Sequence, residues 1–272
     1  MSVTITAADI NKLRQSTGAG MLDCRKALTE SNGDFEAAID WLRKQGQKVA
    51  AKRSDREAKE GVIIAQTTAD NKSGIVLCIS CETDFVSKNA EFVAFAQSIA
   101  DAAIANNVKT AEELNTVTVN GATVEQMIND KLAAIGEKIA VSKFERVEAP
   151  YVASYIHGAN RMGVLVSMTK EAADAGKDVA MQIAAMNPLA VDETSISQET
   201  KDREKAIAIE MIKAEGKPAE MAEKIADGKM NKFFKDNTLM AQAFVKDNSK
   251  SVADYLKSID AELKVTDFRR VA

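Results

Sequence analysis

The feature that most limits what this chain can fold into is an internal repeat. Gly74-Ile75-Val76-Leu77 returns 89 residues later as Gly163-Val164-Leu165-Val166, and the same offset carries Val62-Ile63 onto Tyr151-Val152 and Phe92 and Ala96 onto Met181 and Ala185. Each copy reads as strand, turn, strand and helix, because a short apolar run with extended patterning gives way to apolar residues at helical spacing. Antiparallel hairpins with helices on one side make an α+β layer. Two copies therefore predict an α+β fold with a pseudo-symmetric core. The copies differ at the corner between second strand and helix: the first reads Thr83-Asp84-Phe85, the second Thr169-Lys170-Glu171.

In the first copy the helix is marked by Phe92, Phe95, Ala96, Ile99 and Ala103 on one face, with Asn89 as its N-cap. Asp84 and Phe85 then fall in a surface corner held by two packed elements, where a large ring beside a carboxylate can be presented rigidly to a partner. The alternative, that Phe85 closes the local core, stays open from the residues alone. A second Thr-Asp-Phe, at 266–268, lies within an alternating strand with no helix after it. The tripeptide carries meaning only in its context.

Ahead of the repeat, residues 1–46 read as three short helices. Thr6 and Asp9 form a capping box, the glycines of Thr17-Gly18-Ala19-Gly20 break the first helix, and Asn32-Gly33 breaks the second. Three helices in so few residues have a marginal core, which fits a small docking module. Met21 and Leu22, just after the first break, are the apolar residues expected to be exposed there; the alternative, that they pack inward, stays open from the residues alone. A charged linker follows at 47–60, and core subdomains are expected at 61–148 and 149–196. Within the first, Thr123 and Gln126 cap a helix that Gly136 ends, and a strand follows from Lys138 to Val147. A charged helical hairpin is expected at 197–235, with a seam of Arg203, Ile207, Met211 and Ala214, a break at Gly216-Lys217-Pro218, and Met221, Ile225 and Phe233 downstream. It has little core of its own, so it should project and offer its seam to itself, a partner or a second copy. Residues 236–272 add a strand, a helix and a last strand that complete the core.

Composition removes several classes of function. No stretch of the 272 residues is apolar enough to span a bilayer, and Met1-Ser2-Val3-Thr4 does not open a secretory signal. The expected location is the cytoplasm. A net charge of −4 argues against nucleic acid as the main partner. The seven basic residues between Trp41 and Glu60 (Arg43, Lys44, Lys48, Lys52, Arg53, Arg56, Lys59) read as a solvated helix face. Three cysteines suit a reducing compartment. Cys78 and Cys81 form a C-x-x-C, but residues three apart on a strand point to opposite faces. One histidine, His157, leaves metal sites and most nucleophile–base pairs without partners. No metal, cofactor or chemical catalysis is expected.

The Thr-Asp-Phe corner, with Thr17-Gly18-Ala19-Gly20-Met21 and Ile156-His157-Gly158 leading to Gly163-Val164-Leu165-Val166, closely resembles bacterial elongation factor Ts over nearly the whole chain. That resemblance implies a three-helix bundle of the ubiquitin-associated type, the two-copy core and an antiparallel coiled-coil arm at 197–235. It implies a guanine-nucleotide exchange factor whose partner is the GTPase elongation factor Tu, with no nucleotide bound by the chain itself. Phe85 matches the family's aromatic wedge and Asp84, next to Thr83, the carboxylate that disturbs the partner's Mg²⁺ environment. Ile10, Leu13, Arg14, Met21 and Leu22 match its N-terminal docking face. Ile135, Gly136 and His157 match core contacts, His157 toward a more distant domain of the partner. Asn11 stands where the family commonly has a basic residue and Ala243 where it has a proline, and the extra C-terminal helix of longer members is expected to be missing. Two other readings compete: a scaffold whose three-helix module binds a ubiquitin-like or helical partner, and a thiol enzyme with both sulfurs of Cys78 and Cys81 on one accessible face.

Overall fold

The computed structural model describes residues 4–53, 55–215 and 218–272, apart from the side chains of 49–52 and 219–222. The fold is α+β and divides into two compact units: residues up to Ile64 with Ile75–Arg146, and Ala65–Gly74 with Val147–Arg270.

The first unit opens with α1 (Ala7–Thr17), α2 (Met21–Glu30) and α3 (Phe35–Arg53). The Thr6–Asp9 capping box starts α1, Gly18 in the left-handed region ends it, and the Asp34 carboxylate caps α3 through the Ala37 N–H. Leu13, Cys24, Ala27, Leu28 and Ala38 make the small core of the three helices. The charged stretch expected as a linker begins inside α3, because nothing between Gly46 and Arg53 breaks a helix.

Next come β1 (Glu60–Thr67), β2 (Ser73–Cys81), the one-turn α4 (Asp84–Ser87) and α5 (Ala90–Ala105), which is capped by Asn89. They are followed by α6 (Ala111–Thr116), the small pair β3 (Thr118–Val119) and β4 (Ala122–Thr123), α7 (Val124–Ile135) and β5 (Ala140–Glu148). The sheet runs in the order β1-β2-β5. Ile75, Leu77, Ile79 and Cys81 line one face of β2 and meet Phe92, Ala96, Ile99 and Ala103 of α5. The alternation of β2 and the helical spacing of α5 thus interlock in one core.

The second unit repeats the pattern with β6 (Tyr151–His157), β7 (Met162–Met168) and α8 (Ala173–Met186). The hairpin is antiparallel, from Tyr151 opposite Met168 to His157 opposite Met162. Then follow α9 (Gln198–Ala214), α10 (Ala219–Asn237), β8 (Ala243–Phe244), β9 (Asp247–Ser251), α11 (Val252–Ile259) and β10 (Val265–Val271). The last strand joins the sheet in the order β10-β7-β6. The second Thr-Asp-Phe lies inside this strand.

Two sequence expectations need correction. At the strands the repeat keeps its offset of 89, since Ile75, Leu77 and Ile79 of one core correspond to Val164, Val166 and Met168 of the other. At the helices the buried faces align at 84: Ala96 with Ala180, Ile99 with Ile183 and Ala100 with Ala184. Met181 and Ala185, expected opposite Phe92 and Ala96, are not core residues of α8. The five-residue difference is extra chain in the first copy between strand and helix, and it contains α4 with Asp84 and Phe85. The seam of the α9–α10 hairpin is also one residue on from the expected one. Ala208 and Ile212 close against Ala226, while Ile207 and Met211 are exposed. Both stripes share the same helical spacing, and the small Ala208 and Ala226 allow the closer approach. The break expected at Gly216-Lys217 and the seam position Met221 lie outside the described residues and side chains.

One close approach sets the second core. A Cβ on Gly176 would lie 2.6 Å from the Cβ of Ala153 and 3.2 Å from the Met168 sulfur, so α8 crosses β6 and β7 at a spacing only glycine permits. Gly176→Ala is expected to cost about 1–3 kcal/mol through overpacking, read as a lower urea midpoint of unfolding.

Candidate functional site

The corner after β2 holds chain, including α4, that the second copy of the repeat lacks. Phe85 lies on α4 and is 85% exposed, the most exposed large apolar side chain among the described residues. The reading in which it closes the local core is therefore set aside. Val86, next along α4, packs against the core instead. Asp84 pairs with Lys88 at 2.6 Å along the same turn.

A four-residue helix cannot hold itself, because nucleation fixes several residues for few hydrogen bonds. Thr83 is the N-cap of α4, yet its side chain makes no capping bond. Its hydroxyl donates to Glu137 Oε1 at 2.6 Å, while the N–H groups of Glu82 and Thr83 both donate to Glu137 Oε2 at 3.0 Å. In return the Lys138 N–H donates to Glu82 Oε1 at 2.6 Å. That bond, with Arg56 at 3.2 Å and Arg53 at 3.8 Å, holds the Glu82 carboxyl below its ordinary range. Two carboxylates thus stitch the corner to the segment after α7. Gly136, with φ of +83°, lets α7 end sharply and turn Glu137 toward the corner. Ile135, partly exposed, closes that helix. Thr83, Asp84, Phe85, Ile135 and Gly136, expected separately, are joined through Glu137, which sequence reasoning missed. Its only signal was its place directly after a helix-ending glycine.

The other expected residues lie elsewhere. On the three-helix module Leu22 is 82% exposed, Met21 about half, and Arg14 is open to solvent. Ile10 is half-buried. Leu13 is 0% exposed. It cannot touch a partner from there; it packs in the core of the three helices. His157 ends β6 in the second unit, exposed, with Nδ1 3.0 Å from the Tyr155 hydroxyl.

The thiol reading fails on geometry. Cys81 sits in the core with Ile75, Leu77 and Ile79, whereas Cys78 is on the opposite strand face, and both are free. Burial, aided by the neighbouring Glu137 charge, pushes the Cys81 thiol up to about 12, so its nucleophilic thiolate is suppressed near neutrality. Among the described residues no group of three or more His, Cys, Asp or Glu could hold a metal, and no helix is long and apolar enough to cross a membrane.

Comparison with known proteins agrees with the residues. A family model described as elongation factor TS matches residues 82–272. Proteins named elongation factor Ts from Christiangramia forsetii and Flavobacterium psychrophilum are each 50% identical to the chain, over 98% and 99% of its length and 98% of their own. One from Clostridium perfringens is 43% identical over 98% of the chain and 92% of its own length. With the braced corner, the exposed helical face and end-to-end similarity in agreement, the chain belongs to the elongation factor Ts family.

Proposed function

We propose that this chain is the guanine-nucleotide exchange factor of elongation factor Tu, acting during translation elongation by speeding GDP release without catalysing a chemical reaction. The observation that carries the reading is the exposed Phe85 ring on a corner braced from behind. An exchange factor must bind the nucleotide-free GTPase better than the loaded one, and by linkage each ligand then weakens the other equally. A ten-thousandfold loss of nucleotide affinity needs about 5.5 kcal/mol. Burying a Phe of about 150–250 Å² at about 25 cal/mol per Å² yields roughly 4–6 kcal/mol before ordering costs. One inserted ring is of the right size, provided that docking elsewhere holds it in place.

In this reading Phe85 enters the GTPase domain as a wedge. Asp84 places negative charge next to the region where the partner holds Mg²⁺ and phosphate, and weakened Mg²⁺ binding leaves the phosphate charge less screened. Arg14, Met21 and Leu22, with Ile10 at their edge, dock the three-helix module, and Ile135, Gly136 and His157 add contacts from the core. The test is the release of fluorescent GDP from elongation factor Tu as the chain is titrated in. The rate should rise to a plateau well above the unassisted one; a complex that forms with no change in rate would refute the reading.

A further inference from the structure

We propose that Glu137 is a positioning residue for the wedge: it holds the α4 corner in the one orientation in which Phe85 can enter the partner. The proposal rests on the exchange reading above and deepens it.

Three observations converge on Glu137. First, α4 has one turn and its own N-cap hydroxyl is turned away from capping duty, so the helix that carries Phe85 borrows its stability from outside. Second, the outside support is concentrated in one carboxylate, which accepts two backbone N–H bonds at 3.0 Å and the Thr83 hydroxyl at 2.6 Å. Bonds to a charged acceptor are stronger than neutral ones, and three on one group fix both its plane and that of the peptides it holds. Third, the second copy of the repeat lacks α4: β7 passes to α8 through 169–172. The extra chain of the first copy and its brace occur together, as expected if the brace exists to serve the ring.

A wedge that swings loses effect before it loses contact. Without Glu137 the ring stays exposed and the docking face stays intact, but fewer encounters present Phe85 correctly. The maximal rate should therefore suffer more than the affinity. Glutamine can keep the geometry, since its amide oxygen can accept both N–H bonds while its amide nitrogen donates to the Thr83 oxygen. Alanine cannot.

The experiment compares the full chain with its Glu137→Ala and Glu137→Gln variants in two measurements: amide hydrogen exchange of 82–88 on the free chain, and titrated release of fluorescent GDP from elongation factor Tu. Glu137→Ala should lose protection over 82–88 and lower the plateau rate on the order of 10- to 100-fold, with the half-saturating concentration moving by about threefold or less. Glu137→Gln should recover most of both. Should the alanine variant not fold, Thr83→Val removes the hydroxyl bond while leaving both backbone bonds, and should give an intermediate loss of plateau rate. A wild-type plateau with Glu137→Ala would overturn the proposal. So would a glutamine variant as defective as the alanine one, which would make Glu137 a charged contact instead. If the wild-type chain itself fails to speed release, the exchange reading falls, and unaltered protection of 82–88 in Glu137→Ala would separately refute the brace.

Discussion

Phe85→Ala should remove most of the acceleration of GDP release and leave the chain as stable as before. The ring is 85% exposed, so its loss opens no cavity, and unfolding free energy should change by no more than about 0.5 kcal/mol. In the complex the same ring would be buried. Of its gross worth, about 3–4 kcal/mol is left after ordering costs, which corresponds to a fall of roughly 100- to 1,000-fold in the plateau rate. Binding should weaken far less, because the variant leaves untouched the surfaces proposed to dock, on the helical module and at His157. Stopped-flow release of fluorescent GDP, with a urea titration of the same variant, checks both halves.

Leu22→Asp should do the reverse. Leu22 is 82% exposed in the first turn of α2, where a negative charge suits the helix N-terminus, so an aspartate there is tolerated by the fold. In a docked complex it removes about 1.5–3 kcal/mol of apolar burial and adds a charge to a dry contact, giving an expected 10- to 100-fold loss of affinity. At saturating concentration the plateau rate should approach that of the wild type. The pair of variants separates docking from wedging, and equal effects on affinity and plateau in both would show that the two are not separate tasks.

Much of this was legible in the residues because local signals agreed with the global pattern. The capping boxes at Thr6 and Thr123, the N-cap Asn89 and the helix-ending Gly136 stand where their side chains or backbone angles require. The alternation Ile75, Leu77, Ile79 fixes which face of β2 is inside, and it places Cys81 there and Cys78 outside. What could not be read is of two kinds. Stripes one residue apart share one spacing although they face about 100° apart, so spacing alone points to Ile207 and Met211 where packing selects Ala208 and Ile212. Likewise the constant offset of 89 hid five extra residues that only packing against the sheet reveals. The second kind is long-range polar bonding. Glu137 lies 54 residues from Thr83, and no local pattern announces that its carboxylate will support α4.

Where the Phe85 ring goes in the complex decides the mechanism. A photo-crosslinker in place of the ring, Phe85→p-benzoylphenylalanine, irradiated in the nucleotide-free complex with elongation factor Tu and mapped by mass spectrometry, answers this most directly. Crosslinks should fall on the segments of the GTPase domain that hold Mg²⁺ and phosphate, and should fade when GDP and Mg²⁺ are added in excess. Crosslinks confined to another domain, or a complex that forms with none at all, would contradict it.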